Sequence, residues 1–99
     1  MPYDEINAAK IPFLSDVYES QKLTTEINSK VFELKLTHNS RGFFVIRATH
    51  NNIIYCNQKL TDVPVIGRNP STYLPEFMIM PVNSTVDDLE VWIVAARQL

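Results

Sequence analysis

Residues 32–56 read FELKLTHNSRGFFVIRATHNNIIYC. Over 32–37 apolar and polar residues alternate one by one, which places Phe32, Leu34 and Leu36 on one side of an extended strand and Glu33, Lys35 and Thr37 on the other. His38-Asn39-Ser40-Arg41-Gly42 is turn chemistry, and Gly42 accepts a positive φ at little cost. Asn51-Asn52 closes a second turn, because asparagine tolerates the left-handed conformation that tight hairpins need. Three antiparallel strands follow from this. The middle one poses a problem: Phe43, Phe44, Val45 and Ile46 are consecutive, so bulky apolar groups point from both of its faces.

Working outward, KLTTEI at 22–27 alternates, and Asn28-Ser29 turns it back onto 31–37. That loop sets Ile27 opposite Lys30, Thr25 opposite Phe32 and Leu23 opposite Leu34. Pairing Thr37 with Phe43 across the next loop sets Leu36 beside Phe44, Leu34 beside Ile46, Phe32 beside Ala48 and Glu33 opposite Arg47. Across Asn51-Asn52, Ala48 meets Tyr55 and Arg47 meets Cys56. Residues 22–57 thus form a four-stranded meander with an inner face of Leu23, Ile27, Phe32, Leu34, Leu36, Phe44, Ile46, Ile53 and Tyr55.

Downstream, Pro64, Gly67, Pro70 and Pro75 break regularity over 58–76 and leave room for one short helical turn near 71–76. FMIM at 77–80 and LEVWIVA at 89–95, separated by a polar loop over 83–88, are strands apolar on both faces. The expected fold class is all-β, a small antiparallel β-sandwich or barrel-like fold. Residues 1–10 read as an arm and 11–99 as a single β domain.

The chain has 99 residues, 45% hydrophobic and 20% charged, which suits one ordered domain. Its net charge of -2 and nine scattered basic residues give no reason to expect nucleic acid or an anionic membrane surface. One cysteine, Cys56, excludes an intramolecular disulfide. Asp4 and Glu5 stand where a secretory leader carries positive charge, and no apolar run is long enough to span a bilayer. Asn83-Ser84-Thr85 fits a glycosylation acceptor, which without secretion is coincidence.

The chemistry-bearing residues are sparse. His38 and His50 lie at opposite ends of one strand, roughly 23 Å or more apart, and do not share a metal ion. Cys56 with a His50 base lacks an orienting third group, and the expected hairpin points the two side chains to opposite faces. Asp87-Asp88 reads as a solvated loop, and two glycines, Gly42 and Gly67, make no phosphate cradle. No enzyme, metal, cofactor or small-molecule substrate is expected. Tyr55, Tyr73, Phe77 and Trp92 fit core or interface packing better than a sugar-stacking platform.

With the inner face closing the core, Phe43, Val45 and Ile54 lie on the reverse side. Wet apolar surface forgoes ~25 cal/mol per Å², so cover is expected there, either from the chain's own 58–76 segment or N-terminal arm or from a partner surface, which would take Arg41, Tyr73 and Trp92 as further contact residues.

The order of features carries a family resemblance. Ile11-Pro12 comes first, then VFELKLTHNSRGFFVIRATHNN with its Gly42-Phe43-Phe44-Val45-Ile46-Arg47 strand, then KLTDVPVIG with Val63-Pro64-Val65 before Gly67, then FMIM and LEVWIVA. Over residues 11–95 this resembles the baseplate plug proteins of contractile-tailed bacteriophages, the family typified by a cyanophage baseplate. Phe44 stands where that family often has tryptophan, His50-Asn51-Asn52 is poorer in Gly and Asp than its turn, and a longer apolar run after Gly67 is missing. The resemblance implies a structural virion protein at the tail baseplate, in many symmetric copies, packed among hub, tube, wedge or sheath-associated proteins and bracing or closing the channel before contraction. The competing expectation is a freestanding β-sandwich module that binds carbohydrate or peptide.

Overall fold

A computed structural model describes residues 8–96. It is a sandwich of two four-stranded antiparallel sheets, and no helix occurs among the described residues. The strands are β1 (Ala8–Ile11), β2 (Gln21–Ile27), β3 (Lys30–His38), β4 (Phe44–His50), β5 (Ile53–Leu60), β6 (Val65–Arg68), β7 (Pro75–Thr85) and β8 (Asp88–Ala95). One sheet has the order β2-β3-β4-β5 and the other β1-β8-β7-β6, so the chain runs through one meander, crosses over at 61–64 and runs through a second. At the crossover β5 and β6 lie close together. On the opposite side the terminal strands β1 and β2 are not paired, and a cleft of ≈ 170 Å³ opens between them, floored by Leu34 and Ile93.

The first hairpin has the expected register, Ile27 opposite Lys30, Thr25 opposite Phe32 and Leu23 opposite Leu34. Its turn residues Asn28 and Ser29 have φ of 51° and 66°, the two left-handed residues a two-residue loop needs to match strand twist. The Asn51-Asn52 turn repeats the solution at 51° and 64°.

Other expectations are corrected. Between β3 and β4 the register is shifted by two: Leu36 pairs with Ile46, Leu34 with Ala48 and Lys35 with Arg47, while Phe43 precedes the strand. The loop is longer than a minimal one because Asn39 N–H donates to Phe43 O at 2.7 Å and Gly42 N–H to Asn39 O at 2.9 Å. A two-residue slip keeps every side chain on its face, so alternation does not oppose it. Between β4 and β5 the register shifts at Ala48/Thr49, so that Ala48 opposes Cys56 instead of Tyr55. This bulge lets Tyr55 and Cys56, adjacent in sequence, both be buried. Ile53, expected inside, is 45% exposed.

Ala8–Ile11, at the end of the expected arm, pairs with β8, and residues 1–7 of that arm lie outside the described residues. In place of a helical turn at 71–76 there is one turn closed by Tyr73 N–H on Asn69 O at 2.7 Å, after which β7 has begun by Pro75. The expected polar loop at 83–88 is mostly strand: Asn83, Ser84 and Thr85 pair with Glu90, Leu89 and Asp88.

The two inner faces interlock through Phe32, Leu34, Leu36, Phe44 and Ile46 on one side and Val65, Phe77, Ile79 and Val91 on the other, all essentially inaccessible to water. Phe77 packs edge-on to Phe32 at a centroid distance of 5.1 Å and stacks with Tyr55 at 6.4 Å. An ion pair fastens the sheets to each other: Lys30 Nζ on β3 donates to Glu76 Oε2 on β7 at 2.9 Å and to Oε1 at 3.1 Å. Glu76 is buried, and its hydrogen bond holds the Lys30 ammonium above its ordinary pKa.

Candidate functional site

With both inner faces committed to the core, contacts with other molecules fall to the outer faces. On β2-β3-β4-β5 the outward residues include Lys22, Thr24, Glu26, Glu33, Lys35 and Arg47, a largely polar and charged surface interrupted by exposed Val31 and, beside the Asn51-Asn52 turn, Ile54. Lys22, Lys35 and Arg47 stand directly opposite one another across three strands. Like charges in adjacent strands repel; Glu33 lies diagonal to Lys22 and Arg47 on the same face, but among the described residues the sole ion pair within 4.0 Å is Lys30–Glu76, so no carboxylate makes a close contact with this row.

The outer face of the other sheet has the opposite character. Across β6, β7, β8 and β1 run Ile66, Met78, Val94 and Ala8 as direct cross-strand neighbours, and the next row places Met80 beside Trp92 and Lys10. Ile66 is 41% exposed, and Met78, Met80, Trp92 and Val94 are half-buried. The Trp92 indole N–H donates to Glu90 Oε2 at 2.8 Å, so its polar atom is satisfied within the chain while its ring joins the apolar stripe.

The six residues expected at a partner surface do not form one patch. Phe43 and Val45 are half-buried neighbours at the start of β4, with Lys59 Nζ 4.5 Å above the Phe43 ring. Ile54, 49% exposed, pairs with Thr49 beside the Asn51-Asn52 turn, four strand residues or about 13 Å from Val45. Arg41 is exposed in the β3–β4 loop, its N–H donating to Asn39 Oδ1 at 2.8 Å. Tyr73 is 75% exposed in the β6–β7 loop with φ 62°, its carbonyl accepting from Arg68 Nη1 at 3.2 Å. Trp92 belongs to the other sheet.

Sequence reading missed Ile66, Met78, Met80 and Val94 as one surface. The signal was present in FMIM and LEVWIVA, apolar on both faces, but adjacency of Met80 to Trp92 and of Met78 to Val94 exists only once β7 and β8 are in register.

Tyr55 and Phe77 lie in the core, which removes two of the four aromatics that a sugar platform required. The bulge turns Cys56 inward onto the same side as His50, contrary to the expected opposite faces. Burial pushes the Cys56 thiol up to about 11, so it is protonated at neutral pH. The His50 ring is engaged elsewhere, with Nδ1 2.9 Å from Val31 O. Among the described residues no three His, Cys, Asp or Glu side chains converge on a possible metal position. Comparisons with protein-family models, curated proteins and solved structures returned no match.

Proposed function

We propose that this chain is a structural component of a phage tail baseplate, a plug that packs between hub, tube and wedge proteins and braces the channel before contraction. The order of sequence features over 11–95 motivates the reading, and the observation that carries it is the apolar outer face of β6, β7 and β8. A freestanding module has no use for an apolar stripe of Ile66, Met78, Met80, Trp92 and Val94 left only partly covered. In an assembly these side chains gain on the order of 1 kcal/mol each when a neighbour covers what remains exposed.

The mechanism is differential burial. Neighbouring proteins cover the stripe in the extended tail, rearrangement on host contact removes the cover, and symmetric copies multiply a modest interface into a firm closure. No cofactor, nucleic acid or membrane enters this scheme, and the place of action is the virion.

The test is genetic and structural together. Deleting the gene is expected to give tails that assemble poorly or contract prematurely, and Met80→Asp, at an outward position, is expected to keep the protein folded while excluding it from tails. Normal infection by particles that lack the protein would sink the proposal, as would full incorporation of the Met80→Asp chain.

A further inference from the structure

From the edge of β2 we infer a second interaction surface, independent of the baseplate reading, whose occupant is a second copy of this chain. Within the described residues β2 pairs on one side with β3 and on the other with nothing. The two-residue turn makes Ile27 and Lys30 exchange both backbone hydrogen bonds, so Thr25, Leu23 and Gln21 also bond to β3. The N–H and C=O groups of Lys22, Thr24 and Glu26 therefore point out from the free edge. An edge of this kind is a template for another strand.

The charges on that edge select the strand. In antiparallel pairing about a twofold axis through Thr24, each Lys22 stands opposite the Glu26 of the other copy and Thr24 opposite Thr24. Neighbouring registers lose this. A slip that centres the axis on Lys22 sets lysine against lysine, and one that centres it on Glu26 sets glutamate against glutamate. The dimer register also places a carboxylate directly opposite the end of the row Lys22, Lys35 and Arg47, a row that makes no ion pair within 4.0 Å among the described residues. The apolar side agrees. Leu23 and Thr25, half-buried on the inner side of β2, line the cleft toward β1, and in the dimer Leu23 of one copy pairs with Thr25 of the other over that cleft.

Joining the edges this way makes one continuous eight-stranded sheet from two copies. The contact is isologous and closed, so it yields dimers and not fibres. A single strand pair is a small interface, and the association belongs in the micromolar range or weaker.

Sedimentation equilibrium on the purified full chain from micromolar to millimolar concentration tests this. A monomer–dimer equilibrium is expected. Lys22→Glu should weaken it about tenfold, because like charges then face each other at two symmetric places, and Lys22→Glu with Glu26→Lys should restore it. Thr24→Pro removes one outward N–H and leaves the bonds to β3 intact, so it should abolish the dimer in a chain that melts as before. A monomer throughout that range overturns the inference, as does a dimer indifferent to Thr24→Pro or a double charge swap that fails to rescue.

Discussion

The ring of Phe77 occupies the space where a side chain on Gly67 would stand. The two residues are direct cross-strand partners in β6 and β7, and a Cβ on Gly67 would overlap Cζ and both Cε atoms of the ring. Phe77 cannot withdraw, because Phe32 and Tyr55 pack against its other sides. The glycine is thus a packing requirement, as its own φ is ordinary while Gly42, at φ 95°, meets the backbone requirement instead.

Gly67→Ala is therefore expected to destabilise the domain by about 3 kcal/mol through overpacking. Urea unfolding should show a lower midpoint with an unchanged slope, and a midpoint equal to that of the parent would contradict the arrangement.

The Lys30–Glu76 pair predicts a non-additive double mutant. Lys30→Met strands a buried carboxylate and should cost about 2 kcal/mol; Lys30→Met with Glu76→Leu removes both charges and should recover most of it. A double-mutant cycle in denaturant measures the coupling, and additivity would mean that the pair does not hold the sheets together.

Two groups give stability an alkaline limit. Burial lifts the Cys56 thiol from 9.0 to about 11, and the bond to Glu76 raises Lys30 above 10.5. In each case the folded chain keeps a proton that the unfolded chain releases, so both contributions are intact below the unfolded pKa and are lost as pH rises through the folded one. Unfolding free energy should fall from pH 9 toward pH 11, by a Cys56 share on the order of 2–3 kcal/mol, and Cys56→Ala should flatten that slope. At pH 8 the native thiol should resist a disulfide reagent and react fully once denaturant is added.

The hairpin turns predict gains. Ser29 and Asn52 occupy second turn positions at φ 66° and 64°, where glycine carries no Cβ penalty. Ser29→Gly should raise stability by about 0.5–1 kcal/mol, read as a higher melting temperature, whereas Ser29→Ala should lower it.

The first hairpin was legible down to its register because a two-residue loop leaves the chain one way to return, and alternation in Leu23, Thr25, Ile27, Phe32 and Leu34 agrees with it. Strand type and most inward positions were legible for the same local reason: a period of two assigns faces without knowledge of neighbours. Local pattern could not choose among pairings that preserve faces, so the β3–β4 register came out two residues away. Nor could it foresee the bulge that brings Tyr55 and Cys56 inward together, a shift made within the paired strands by the demands of the core.

Alternation along the chain is set by the backbone and is written in the order of residues. Which strands meet is settled by packing instead: Ala8–Ile11 joins β8, β7 continues past Pro81 to Thr85, and Met78, Met80, Trp92 and Val94 become one surface. Adjacency between strands distant in sequence depends on how two apolar faces fit across a shared core, and that fit is a property of the whole packed set of side chains.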